Sequence, residues 1–291
     1  MPSSLSVFGA GRLGQTLSKL WHDNLVFEIN QIYSRQPHSR QEAKEFIDLE
    51  EEQSPASLSK LKPSKLWLIA TPDSAFEQAC QQLLPLIQAG DIVFHCSGAL
   101  DSSTLQSLKK AGAYTASIHP LHSFAKPSQS VLEFAGSYCA YEGDEEALKV
   151  LIPAFEKIGA NCFAITGNKW LYHSASVIAC NYLAPLIDAS YQAFSAAGID
   201  SKLAANLLKP LLEGSLSNIR EQGPANALTG PIARGDADFV IAQLQALQNN
   251  NDDLAELYQD MAKHTARLAL RRENTNEIQA KLLELQDLLK S

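Results

Sequence analysis

The chain has 291 residues, 45% hydrophobic and 19% charged, with a formal net charge of −8. That is material for one large or two ordinary globular domains, and it excludes a disordered or collagen-like chain. Residues 1–165 carry 13 basic and 18 acidic side chains and residues 166–291 carry 11 and 14, so neither part offers a surface for tracking phosphates and nucleic acid is excluded as a partner.

No apolar run approaches the roughly 18 residues that span a bilayer, and the start shows no basic-then-apolar leader, so a cytoplasmic protein without a membrane partner is expected. Five cysteines without a C-x-x-C spacing read as reduced, mostly buried thiols, with neither disulfides nor a metal cage.

Up to residue 166, short apolar runs alternate with helical patterns. The runs lie at 5–8, 27–33, 66–70, 92–96, 114–118, 137–141 and 162–165; helical spacing lies between several of them, at 13–21, 75–88 and 145–158. Such alternation predicts an α/β unit with a doubly wound, mainly parallel sheet. The charged stretch 34–65 reads as a solvated helix or loop. Beyond residue 166 helical patterns take over, at 168–196, 201–221, 236–248, 251–271 and 277–289. An all-α domain over 167–291 is therefore expected. Ile278, Leu282, Leu285 and Leu289 recur at three- and four-residue spacing, a stripe that serves core or dimer packing.

The sharpest local signal is Gly9-Ala10-Gly11-Arg12-Leu13-Gly14. It follows the first apolar run and opens the first helical pattern. G-x-G-x-x-G in that setting makes a tight turn, lets the backbone approach a diphosphate and packs helix on strand, so a dinucleotide is expected there. About 20 residues further on, a carboxylate would select NAD through its ribose hydroxyls. Ser34 and Arg35 stand there instead, with Arg40 and Arg12 as helpers, and a guanidinium suits the extra phosphate of NADP.

Ligands of doubly wound sheets lie beyond the carboxyl ends of the strands. This singles out Thr71-Pro72-Asp73 and Ser97-Gly98 for the coenzyme, and His119 and His122 for the substrate or proton transfer. Cys96 lacks a partner base and is a poor nucleophile. In the first pattern of the helical part, Lys169, His173, Val177 and Asn181 recur every four residues. Its polar members share one broad helix face, where a buried Lys has a lowered pKa suited to acid–base work. In 228–236, Gly230 and Pro231 break the helical pattern, Asp236 is a cap for the next helix, and Arg234 either binds an anionic group or pairs with Asp236.

Taken together, Gly9–Gly14, Thr71–Asp73, His95–Ala99, His119–Phe124, Tyr172-His173 with Asn181, and Leu228–Asp236 resemble the Rossmann-like oxidoreductases that carry the C-terminal domain of unknown function DUF2520. That family is similar in architecture to pyrroline-5-carboxylate reductase, to the 6-phosphogluconate and 3-hydroxyisobutyrate dehydrogenases and to deazaflavin-linked NADP reductases. The resemblance implies an NADP-dependent oxidoreductase that moves a hydride to or from a small, anionic carbonyl, hydroxyl or imine compound. It places the substrate in an interdomain cleft and makes the helical domain the dimer interface. Lys169 with Asn181 is similar to the catalytic Lys and Asn of the hydroxyacid dehydrogenases, with His173 intercalated. Thr229-Gly230-Pro231 is similar to the substrate loop of the pyrroline carboxylate reductases, with Arg234 added. The alternatives are a non-catalytic NADP(H) sensor and a reductase with a deazaflavin or flavin as second cofactor.

Overall fold

The structure is a computed structural model that describes residues 3–290. It divides into two compact units, residues 1–179 and 180–291. The first is built on seven strands: β1 (Ser3–Phe8), β2 (Phe27–Tyr33), β3 (Leu66–Ile69), β4 (Ile92–His95), β5 (Tyr114–Pro120), β6 (Tyr138–Gly143) and β7 (Asn161–Ala164). They form one sheet in the order β2-β1-β3-β4-β5-β6-β7. Every pair is parallel except β5 with β6. After β2 the chain crosses to the other side of β1 to lay down β3, so the order reverses between β1 and β3. A crevice opens at such a switch point.

Helices α1 (Arg12–Asp23), α2 (Pro37–Ile47), α3 (Phe76–Leu83), α4 (Gln106–Lys110), α5 (Pro127–Glu133) and α6 (Glu145–Glu156) connect these strands. Trp21 of α1 meets Phe94 of β4 and Phe155 of α6 edge to face, and its indole N–H donates to the Ala154 carbonyl at 3.1 Å. Each such ring stabilises the fold by roughly 2–3 kcal/mol on burial. A second apolar layer, with Trp67, Phe76, Leu83, Leu105 and Leu108, covers the opposite sheet face. Within 34–65, α2 and two short 3-10 turns are solvated elements, in line with the charge pattern.

The expected boundary at 166/167 lies thirteen residues before the observed one. Helix α7 (Lys169–Ser176) belongs to the first unit because its Lys169 and Tyr172 bond to strand ends there. The single helix expected over 168–196 is also corrected. A π-helical turn, Val177–Asn181, separates α7 from α8 (Leu183–Ala196). Pro185 lacks the amide that would close an i to i−4 bond on Asn181, and the widened turn absorbs the defect. The four-residue repeat from Lys169 to Asn181 therefore does not mark one continuous helix face.

The second unit continues with α9 (Ser201–Gln222), α10 (Gly230–Arg234), α11 (Ala237–Gln248), α12 (Asp252–Ala269) and α13 (Asn276–Leu288). Its core joins Val240, Ala262, Leu285 and Leu289, and Leu282 is buried as well, so the stripe on the last helix serves packing. Among the described residues, Cys80, Cys96 and Cys139 are buried free thiols, in line with the expectation of mostly buried thiols; Cys162 is half-buried and Cys180 is exposed. No helix of the described residues is long and apolar enough to cross a membrane.

Candidate active site

The switch point carries the first half of the site. Gly9 turns the chain at φ +124° directly after β1. Its N–H donates to the Tyr33 carbonyl at 2.7 Å, and the Ala70 N–H donates to the Phe8 carbonyl at 2.8 Å. The ends of three adjacent strands are thus tied around the turn. Gly11 is the N-cap of α1, and no side chain caps the helix. The unpaired amides of its first turn form, with the helix dipole, a seat for an anion. Gly14 is needed for packing, because a Cβ there would lie 2.3 Å from the Gly9 carbonyl oxygen; at Gly11 a Cβ would meet nothing within 4 Å. Gln15, which sequence reasoning missed, braces the turn by donating to the Ala10 carbonyl at 2.9 Å.

A recess of about 230 Å³ opens beside this turn, lined by Gly9, Ala10, Gly11, Ser34, Arg35, Ser39, Thr71 and Pro72 among others. Arg40 donates to the Ser34 carbonyl at 2.9 Å and so holds the loop. Arg35 is exposed and has one neutral partner, the Gln78 amide oxygen at 3.1 Å, which an anion would readily replace. Arg12 is exposed on the first turn of α1. Ser39, at the start of α2, had no distinguishing signal in the sequence.

Deeper in, a second recess of about 170 Å³ is lined by Leu13, Thr71, Asp73, Phe76, Cys96 and Ser97 among others. The Thr71 hydroxyl there is buried without a partner among the described residues. Ser97 is not a free donor: its hydroxyl donates to Asp73 at 3.0 Å and accepts the Leu100 N–H at 3.1 Å. His95 accepts the Ser97 N–H on Nδ1 at 3.1 Å, so its proton sits on Nε2 and is donated to the Asp101 carbonyl at 3.2 Å. Burial, with help from the Lys169 charge, pushes its pKa down to about 3. Burial also pushes the Cys96 thiol up, which removes it as a nucleophile.

The third group centres on Lys169, which is only 5% exposed. Its ammonium donates to the Ser97 carbonyl at 3.1 Å and to the Ser117 hydroxyl. Burial lowers its pKa, against weaker attraction from Glu142 and other groups. Two imidazoles, His119 at the end of β5 and His173 on α7, pack on Gly98, where a Cβ would lie 2.8 Å from His119 Nε2 and 2.4 Å from His173 Nδ1. Gly98 is what admits both rings. His119 Nδ1 pairs with the Tyr172 hydroxyl at 3.0 Å. The pKa of His119 is pushed down to about 4 by burial first, then by Lys169 and His173.

Of the residues singled out from the sequence, the structure brings Thr71, Asp73, Ser97, Gly98, His119, Lys169 and His173 into one neighbourhood of the first unit. His122 is not part of it. Its Nδ1 pairs with the Ser137 hydroxyl at 3.2 Å and its ring packs on Phe124 and Phe134. Asn181, Thr229 and Arg234 belong to the second unit. Asn181 is exposed. Thr229 takes the N-cap position of α10 without a side-chain cap bond. Asp236 stands at the N-cap of α11 but does not cap it, because its carboxylate is held by Arg234 Nε and Nη2, each at 3.1 Å. Arg272, which the sequence did not flag, donates to the Leu228 carbonyl at 3.3 Å in the same segment.

Residues 2–120 match the family model of a Rossmann-like domain, and residues 137–265 match that of the domain of unknown function DUF2520. BF3122 of Bacteroides fragilis, provisionally named an NADP oxidoreductase, is similar at a TM-score of 0.78 and 20% identity, covering 91% of this chain and 98% of that one. Protein TM1727 of Thermotoga maritima is similar at 0.68 and 26% identity, covering 92% and 100%. The reductive aminase of Aspergillus terreus, in complex with NADPH and ethyl-5-oxohexanoate, is similar at 0.59 and 16% identity, covering 100% and 93%. No curated protein matches the chain.

Proposed function

On the footing that this chain carries a Rossmann-like domain followed by a DUF2520 domain, we propose that it is an NADP-dependent oxidoreductase acting on a small carbonyl, hydroxyl or imine compound. The observation that carries the reading is the uncapped first turn of α1, beside which stands Arg35 and no carboxylate. The open side of Gly11 and the unpartnered Thr71 hydroxyl fit a dinucleotide. The α1 amides would hold the diphosphate, Ser34 and Arg35 the 2′-phosphate, and Thr71 the far end. When bound, NADP(H) supplies or accepts the hydride. The chain supplies orientation and proton transfer, through the neighbourhood of Lys169, His119 and His173. The pairing of Arg234 with Asp236 favours a role in bracing its own loop over one in binding substrate. The similar fold of the reductive aminase, an NADPH complex with a keto ester, supports the cofactor and substrate class.

Calorimetry with NADPH and NADH tests the reading, followed by a turnover panel of small keto, hydroxy and imino acids. Heat with neither coenzyme sinks it, and binding without turnover of any panel member favours a sensor. Arg35→Ala is expected to weaken NADPH about 10- to 100-fold, the loss of one charge-assisted contact, and to leave NADH unchanged. An equal loss for both coenzymes would remove Arg35 from the phosphate site.

We also propose that the second unit pairs with a second copy of the chain. α8 buries no residue despite its apolar composition. α9 exposes Leu203, Leu207, Leu211, Leu216 and Ile219, with Leu211 at 62%. An apolar face of that extent on a folded unit marks an interaction surface. Leu211→Glu is expected to convert a dimer to monomers in sedimentation velocity; a monomeric native protein would refute the pairing.

A further inference from the structure

Four groups near Ser97 and Gly98 could hand a proton to a substrate, and their hydrogen bonds separate them. Both nitrogens of His95 are occupied, by the Ser97 N–H and the Asp101 carbonyl. Lys169 is buried, its ammonium donates to Ser97 and Ser117, and it has no carboxylate within ion-pair distance among the described residues. It serves as a fixed charge. His173 Nδ1 is buried against Gly98 without a partner, so nothing on that nitrogen selects a tautomer. His119 alone has one nitrogen engaged by a side chain that can itself give up a proton, and like His173 it keeps part of its surface open.

We propose that His119 is the proton donor of this site and that Tyr172 is its positioning residue. The Tyr172 hydroxyl donates to His119 Nδ1, which fixes the ring proton on Nε2, and Nε2–H faces the Ser97–Gly98 loop. The direction of the bond follows from acidity. A phenol is a far better proton donor than a neutral imidazole N–H, and an imidazole nitrogen is the better acceptor. The low pKa of His119 keeps the ring neutral, and burial raises that of Tyr172 to about 12, so the phenol enters protonated.

The step rests on the oxidoreductase reading, with a reduced nicotinamide as reductant. The carbonyl carbon takes the hydride and its oxygen takes the Nε2 proton. Nδ1 takes the Tyr172 proton in the same event, so no imidazolate forms. The phenolate left on Tyr172 is reprotonated by water. The nearby Lys169 ammonium favours negative charge on a carbonyl oxygen and disfavours a cationic iminium. The site is thereby better suited to carbonyl than to iminium reduction.

The first arm of the test needs no substrate. In full-length protein labelled with ¹⁵N in its imidazoles, long-range ¹H–¹⁵N correlation at neutral pH is expected to show His119, identified by loss of its signals in His119→Gln, neutral with its proton on Nε2. In Tyr172→Phe the ring is expected to populate both tautomers. A proton on Nδ1 in the native protein, a charged ring, or an unchanged ring in Tyr172→Phe overturns the proposal. The native measurement stands even where the variant folds poorly. With a panel carbonyl as substrate, Tyr172→Phe is expected to lower kcat at least tenfold with KM and NADPH affinity within twofold; undiminished kcat also overturns it. Failure of the native protein to bind NADPH sinks the oxidoreductase reading and leaves the tautomer result unaffected.

Discussion

Replacing Gly9 with alanine is expected to lower stability and coenzyme affinity together, whereas replacing Gly11 is expected to lower affinity alone. At position 9 the backbone has φ +124° and a Cβ would lie 2.4 Å from the Ala70 carbonyl oxygen. Both strand ends are pinned by hydrogen bonds to neighbouring strands, so neither can withdraw cheaply. Conformational strain and overlap together cost about 2 kcal/mol or more, which lowers Tm by roughly 4 °C or more in a unit of this size. The forced separation opens the turn that aims the α1 amides, and NADPH should bind at least ~100-fold more weakly, a loss of about 2.7 kcal/mol. At position 11 the backbone is ordinary (φ −74°) and a Cβ meets no protein atom within 4 Å. Gly11→Ala should therefore melt with the native protein. It should lose affinity because its methyl enters the space that the diphosphate needs. Thermal melts and calorimetry on the two variants give the comparison. If Gly11→Ala binds NADPH as the native chain does, the turn is only a structural bend.

The parts of this molecule that were legible in its sequence are those governed by short-range chemistry. All seven strands lie where the sequence shows apolar runs bounded by Gly, Pro or polar residues; β3 and β4, buried almost throughout, carry the mark of a strand covered on both faces, whereas the largely exposed edge strand β7 is marked only by its short apolar run. The phosphate turn was legible because three glycines at fixed spacing answer three separate backbone demands. Lys169 and His173 stood out as polar groups among small and apolar ones. The break at 177–181 is less legible, although Pro185 is its signal: a single helix over 168–196 runs across a proline that cannot sustain regular bonding back to Asn181. The pairing of Tyr172 with His119, 53 residues apart, leaves no local trace. The same holds for His95, whose two bonds make it a brace for the 97–101 loop. A histidine at a strand end looks the same in sequence whether its nitrogens are spent or free. The apolar character of α8 was legible too, but periodicity gives the face that seeks cover and not what covers it.

Mild acid is expected to destabilise this protein through the same histidines. His119 and His95 have native pKa values pushed down to about 4 and about 3, in each case by burial first and by the Lys169 charge next. Unfolded, each ring returns to about 6.5. Above pH 6.5 both states hold the rings neutral and the full stability is present. As pH falls below 6.5 the unfolded chain takes up protons that the native protein refuses, so stability falls. The loss continues until the native pKa values are reached, and for His119 alone it amounts to about 3 kcal/mol. Urea unfolding between pH 7.5 and 4.5, values chosen to bracket this window, should show stability falling with a slope that approaches about two protons from these rings. His119→Gln should reduce that slope by about one proton. The imidazole carbon-bound proton signals of His119 and His95 should stay flat through pH 6.5 and change only with cooperative unfolding. A titration of either ring near pH 6.5 in the folded protein would mean that water reaches it and that the buried Lys169 does not act on it. The neutral ring from which His119 is proposed to donate would then be lost below that pH.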